Sequence, residues 1–247
     1  MTIPLSYHRV GHGAPLVLVH GFPLDRAFWN PILPYLRGHF DCILPDLRGF
    51  GDSPAAEAGY SLDDMAADLS ALLLGLGLAS AFVAGHSMGG YIALAFARRF
   101  GHQLLGLGLL GTQAAPDSPE RRQTRYETIE QIRREGVGPV LGMADKLTTD
   151  PRHAPDLRQI IQRQNPIGVM GALQAMAERP DSLPTLAALT VPVVLAHGME
   201  DVLVPVERAR EMKAALPSAV LVELPGVGHS PPYEAPEQTA AALRNLL

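Results

Sequence analysis

The sequence predicts an α/β protein: a mostly parallel sheet with helices on both faces and an inserted helical cap. Three observations carry that prediction. Short apolar runs alternate with segments of helical length, the pattern of strands buried on both faces. A glycine-rich pentapeptide, Gly85-His86-Ser87-Met88-Gly89, stands between one such run and an apolar helical stretch. From Thr112 to Leu189 the strand signal then disappears, for longer than a loop inside a compact domain allows.

In chain order, Ile3–Arg9 reads as a polar edge strand, followed by strands at Leu16–His20, Phe40–Leu44, Ala81–Gly85, Leu104–Leu110, Val191–Ala196 and Ala219–Leu224. Ser61 with Asp64 makes a capping-box-like start to a helix over Ser61–Leu74, and Gly75 is placed to stop it. Met88–Phe100, Val206–Leu216 and Pro236–Leu247 complete the helices around the sheet. In the insertion, Pro119–Gly136 mixes five arginines with four glutamates and reads as a solvated helix. Val137–Leu147, Pro155–Gln164 and Ile167–Arg179 carry Met143, Met170 and Met176 among aliphatic residues, side chains suited either to a small core or to roofing an apolar pocket. The expected division is residues 1–111 and 190–247 as the core and 112–189 as the cap.

Length and composition narrow the classes. The 247 residues lie at the upper end of what one hydrophobic core supports. Apolar residues at 47% and charged residues at 18% exclude a disordered or fibrous chain. A net charge of -5 provides no basic stripe to neutralise phosphates, so no nucleic-acid partner is expected. With Cys42 alone, no disulfide framework or multi-cysteine metal site can form, which fits a reducing cytoplasm. Met1–Gly13 has no cationic start before an apolar run, and no lipidation signal closes the chain at Leu247. The uncharged stretch Leu69–Ala97 is long enough to raise a transmembrane helix, but glycines and polar residues punctuate it, so no membrane partner is expected. Oligomeric state is not encoded in any of these features.

The pentapeptide carries chemistry because of where it stands. A strand turning sharply into a helix leaves Ser87 strained with its hydroxyl exposed, while the flanking glycines let neighbouring backbone come close. A serine hydroxyl is a weak nucleophile at neutral pH and needs a base, which itself needs an orienting group. His229, in Gly226-Val227-Gly228-His229 after the last strand, and Asp201, in Gly198-Met199-Glu200-Asp201 after the strand before it, are placed to serve, and the order Ser, acid, His is the one this elbow uses. Backbone N–H donors at Met88 and at Phe22, in His20-Gly21-Phe22-Pro23, are the candidate oxyanion hole. His20, His86 and His197 read as packing or polar-network residues; a zinc site built from them lacks ligand spacing, so no metal is expected.

These segments resemble the α/β-hydrolase family, in particular small cytosolic esterase-like members with a helical cap after the sixth strand. The resemblance rests on His20-Gly21-Phe22-Pro23, Asp46-Leu47-Arg48-Gly49-Phe50-Gly51-Asp52-Ser53, Gly85 to Gly90, Gly198 to Asp201 with Pro205, and Gly228-His229 with Glu234 and Pro236. It implies a Ser87–His229–Asp201 triad, an oxyanion hole at Phe22 and Met88, and no cofactor. Asp46–Ser53 is then a structural turn that Arg48 and Asp52 pin. The expected substrates are short-chain carboxylic esters, then lactones or enol-lactones, with Met143, Met170 and Met176 as candidate pocket residues. Phe22-Pro23, Ser87-Met88 and Val204-Pro205 also resemble cofactor-free perhydrolases and haloperoxidases, and a slow-turnover ligand-binding signalling protein is a further alternative.

Overall fold

Among the described residues seven strands form one sheet in the order β1-β3-β2-β4-β5-β6-β7. The computed structural model describes residues 1–55 and 59–247. The strands are β1 (Tyr7–Gly11), β2 (Ala14–Val19), β3 (Phe40–Pro45), β4 (Ala81–His86), β5 (Leu104–Leu110), β6 (Val193–Gly198) and β7 (Val220–Leu224). Only β1 is antiparallel, pairing with β3; the other six run parallel, as their apolar character requires. The helices are α1 (Leu33–Leu36), α2 (Leu62–Gly75), α3 (Met88–Phe100), α4 (Pro119–Glu135), α5 (Ala154–Gln162), α6 (Pro166–Ala177), α7 (Leu183–Ala187), α8 (Glu207–Ala215), α9 (Pro231–Glu234) and α10 (Pro236–Leu243). None, among the described residues, is long and apolar enough to cross a membrane.

Several boundaries move for identifiable reasons. The edge strand begins at Tyr7 rather than Ile3, because Pro4 has no N–H to pair and the Ile3 N–H is taken by the Asp68 carboxylate at 2.9 Å. β6 begins after Pro192, whose carbonyl still accepts from Leu107 N–H at 2.9 Å. The capping box at Ser61 and Asp64 is present. Gly75, however, lies inside α2, and Gly77, with φ +70°, ends it: Leu78 N–H returns to the Leu73 carbonyl and Gly77 N–H to Leu74, a Schellman closure. The segment without strands follows the fifth strand, as the five strand runs before Thr112 predict.

Between β5 and β6 the chain contributes α4 to α7 and a 3-10 segment at Gly138–Lys146, where Gly138, Pro139 and Gly142 interrupt a regular α-helix. α4 buries only Ile129 and Ile132, as expected of a solvated helix. The buried side chains of the insertion, including Ile132, Val140, Ile161 and Val169, belong to the same apolar cluster as the sheet, so it has no separate core. Its seat is tight at one point: a Cβ on Gly168 of α6 would overlap the backbone of Gly49, which itself has φ +78°. Beside it Tyr60 donates its hydroxyl to the Gly168 carbonyl at 2.8 Å.

Candidate active site

Parallel β2, β4, β6 and β7 end at one edge of the sheet, and that edge gathers the residues singled out in the sequence. Ser87 follows β4 with φ 52° and ψ -115°, the only non-glycine residue at positive φ among the described residues. Such a conformation costs about 1–3 kcal/mol and persists only where its surroundings over-determine it. Ser87 N–H donates to the Leu110 carbonyl at 2.9 Å, and the Ser87 carbonyl accepts from the Thr112 hydroxyl at 2.8 Å. The glycines make room: a Cβ on Gly85 would overlap the Gly89 carbonyl, one on Gly89 the Val19 carbonyl, and one on Gly90 the Thr112 side chain.

His229 Nε2 lies 2.9 Å from Ser87 Oγ, and its Nδ1 lies 2.7 Å from Asp201 Oδ2. An ionised carboxylate only accepts, so Nδ1 carries the proton and Nε2 is left to accept from the serine hydroxyl. Asp201 is buried, with 6% of its surface exposed. Burial pushes its pKa up, but the neighbouring His197, 3.3 Å away, the hydrogen bond and charge interaction of His229 and the Val204 N–H outweigh that and hold it well below the usual carboxylate range. Leu203 and Val204 N–H donate to Oδ1 at 2.8 and 2.9 Å, which leaves Oδ2 for the imidazole. Glu200, its neighbour, is exposed.

Met88 is the first residue of α3, so its N–H has no intrahelical acceptor and points out at the helix N-terminus. Phe22 stands in the turn that Leu24 N–H closes onto the Gly21 carbonyl at 3.0 Å, with a cis Phe22–Pro23 peptide inside it. Three further histidines, His20, His86 and His197, tie these loops together. His20 Nδ1 donates to the Gly21 carbonyl at 2.9 Å while its Nε2 accepts from Leu47 N–H at 3.0 Å, joining the Phe22 turn to the Asp46 turn. His86 Nε2 donates to the His229 carbonyl at 2.7 Å and its ring stacks on Phe28. Burial pushes the His86 pKa down to about 3, so this buried imidazole is neutral. His197 Nε2 donates to the Val204 carbonyl at 2.7 Å beside Asp201.

The Asp46–Ser53 turn is held from outside. Arg48 pairs with Asp68 of α2 at 2.6 Å, Asp52 pairs with Arg26, and Asp46 accepts from the N–H groups of Arg26 and Asp52, both at 2.8 Å. Asp25, just past the Phe22 turn, accepts from the Ala27 N–H at 2.9 Å and is also clasped by the insertion: Arg163 reaches both its oxygens at 2.7 Å and Gln164 donates at 2.8 Å. No pattern in the sequence pairs Asp25 with residues so far along the chain. Met176 is buried, whereas Met143 and Met170 are half-buried against the same cluster. Met170 and Met176, six apart on α6, sit about 120° apart around its axis and face different ways. Among the described residues no three His, Cys, Asp or Glu side chains are grouped to hold a metal ion.

A family model for the alpha/beta hydrolase fold matches residues 14–236. The AB hydrolase superfamily protein YisY of Bacillus subtilis is 31% identical over 250 residues, covering 96% of this chain and 92% of its own. A thermophilic esterase from Thermogutta terrifontis, solved with malate bound, superposes with a TM-score of 0.93 at 40% identity, over 97% of this chain and 91% of that one. The enol-lactonase of Burkholderia xenovorans LB400 superposes with a TM-score of 0.90 at 25% identity, over 98% and 95% of the two chains.

Proposed function

Because the chain belongs to the α/β-hydrolase fold family, we propose that it is a serine hydrolase that cleaves small carboxylic esters through Ser87, His229 and Asp201. The observation that carries the reading is the unbroken line from Ser87 Oγ through His229 to Asp201, at 2.9 and 2.7 Å. In it His229 Nε2 takes the Ser87 proton as Oγ attacks the ester carbonyl, and Asp201 stabilises the imidazolium that forms. The N–H groups of Met88 and Phe22 receive the charge that develops on the carbonyl oxygen, usually the largest single contribution to such a step. His229 then protonates the leaving alcohol. Water, activated by the same histidine, releases the acid from Ser87. The esterase similarity at 40% identity supports this class of substrate.

Lactones are the second substrate class, favoured by the likeness to an enol-lactonase and by the same attack geometry on a cyclic ester. The test is a panel of p-nitrophenyl esters from acetate to decanoate, with a lactone series beside it and peracid formation followed in added peroxide. Ser87→Ala is expected to lose about 10⁴-fold or more in turnover while remaining folded. Retention of more than about a hundredth of the wild-type rate would remove Ser87 as nucleophile. Met143, Met170 and Met176 are the proposed acyl-pocket residues, and the panel sorts them. Alanine at a lining position extends the preferred acyl chain, whereas alanine at a packing position lowers the melting temperature and leaves the preference unchanged.

A further inference from the structure

The carboxylate of Glu234, on the short helix α9, stands behind the His229 loop and is untouched by the chemistry described so far. Its Oε1 accepts from the backbone N–H groups of Gly228 at 3.1 Å and Ser230 at 3.2 Å, the two residues that flank His229. Its Oε2 accepts from Thr149 of the insertion, from the N–H at 2.7 Å and from the hydroxyl at 2.6 Å. One side chain therefore grips the peptide groups on either side of the general base and, with its other oxygen, a residue some eighty positions earlier in the chain. Two further contacts follow the same seam. A Cβ on Gly228 would lie 3.1 Å from Thr149 N, so the base loop and the insertion touch directly. Tyr233, beside Glu234, packs edge-on against His153 of the insertion and stacks on Phe28, which stacks in turn on His86.

We propose that Glu234 is a positioning residue that makes the Thr149 corner of the insertion part of the scaffold of His229. The inference rests on His229 being the base, as proposed above. The hydrogen bond from Ser87 to His229 depends on where the loop holds the imidazole. His86 holds the His229 carbonyl, and the N–H groups of Gly228 and Ser230 on either side are held by Glu234, which sets the tilt of both flanking peptide groups. Thr149 in turn fixes Glu234, because without its two donors Oε2 has no partner among the described residues except the Gly228 N–H at 3.2 Å. The insertion then contributes to turnover through the base, and not solely through the shape of a pocket. A displacement of about 1 Å at a reacting group is enough to cost up to about a hundredfold in rate.

The full chain is compared with Glu234→Gln and Thr149→Val on p-nitrophenyl acetate, alongside the downfield 1H resonance of the His229 Nδ1 proton in the resting protein. Gln leaves one acceptor oxygen where two are used and turns an NH2 group toward donors. Val removes the Thr149 hydroxyl and keeps its N–H. The expected result is a kcat lower by about tenfold in Glu234→Gln and about threefold in Thr149→Val, with KM within about twofold, and a displaced or broadened resonance in both. Melting temperatures that fall with kcat and the resonance unchanged would overturn the proposal, leaving Glu234 a brace of the fold. A loss confined to Glu234→Gln would overturn the part played by the insertion. If Glu234→Gln does not fold, Thr149→Val decides alone, since it alters one exposed hydroxyl. The resonance is read without substrate, so a wild type that hydrolyses no ester, yet shows the displaced signal in both variants, sinks the esterase reading and leaves this one standing.

Discussion

The sheet edge and the insertion are fastened by different physics. Along the edge, backbone fits backbone: Gly85, Gly89 and Gly198 each stand where a Cβ would overlap a carbonyl, and buried strands fix the loops that follow them. The insertion shares the apolar cluster of the sheet and is clasped in addition by polar side chains. Asp25 receives Arg163 and Gln164 and Glu234 receives Thr149, while within the insertion the buried Asp117 receives Arg125 and Arg179 and ties its first residues to its last. Backbone fit tolerates almost no substitution and leaves a glycine signature. Polar clasps depend on distant partners meeting, and each leaves a buried group stranded if its partner is lost.

The largest effect should come at the edge. Asp201→Asn is expected to lower turnover by about 10⁴-fold, because an amide no longer holds the proton on His229 Nδ1, while Glu200→Gln next to it stays near the wild type. Comparable losses at the two positions would show that the acid was misassigned and that the edge is less rigid than its glycines indicate. The same variant has a signature in pH. The Asp201 pKa lies lower in the folded protein than in the unfolded chain, so its contribution to stability is fully present above the ordinary carboxylate range and is lost as pH falls through the depressed native value. Asp201→Asn should therefore flatten the acid limb of a melting-temperature profile, relative to wild type, below about pH 4.

This contrast also explains what could be read from the sequence. Six parallel strands, the elbow at Ser87 and the order of Ser87, Asp201 and His229 were legible because each leaves a local mark: an apolar run, a glycine cluster, a strand end. The three network histidines were legible as such because they stand at strand ends among apolar neighbours. The clasps were not. Nothing local distinguishes Thr149 from any loop threonine or Gln164 from any helical glutamine, and each acquires its role from a partner far along the chain. The 3-10 segment at Gly138–Lys146 and the short α1, α7 and α9 fall below the length at which periodicity is informative. Met170 and Met176 show the same limit, since composition alone does not say which way a side chain on α6 faces.

At one point the insertion follows the rule of the edge. Gly168 meets Gly49 backbone to backbone, so Gly168→Ala must push α6 away from the Asp46–Ser53 turn. Overpacking of this kind costs about 1–3 kcal/mol, or a melting temperature lower by roughly 2–4 °C for each kcal/mol in a chain of this size. Gly171→Ala is the comparison on the same helix: there a Cβ would meet the Tyr60 ring, whose shift costs its hydrogen bond to the Gly168 carbonyl but displaces no backbone, and the loss should be smaller. Equal losses would mean that α6 shifts freely at the Gly49 contact and that backbone fit does not hold it there.

The smallest effect separates backbone conformation from crowding altogether. Gly75 and Gly77 both have open space where a Cβ would stand, so packing cannot distinguish them. Their conformations do. Gly75 is the last residue of α2 and its φ is not positive, whereas Gly77 has φ +70° and closes the helix by returning its N–H to the Leu74 carbonyl at 3.0 Å. Gly75→Ala should raise stability by about 0.5–1 kcal/mol, since alanine has less freedom to lose on folding and favours the helix. Gly77→Ala should lower it by about 1–2 kcal/mol, because the left-handed region brings Cβ toward the following carbonyl. Opposite signs in thermal unfolding would place the helix end at Gly77 on conformation alone. A loss at Gly75 as large as that at Gly77 would move it back to where the sequence pattern first suggests.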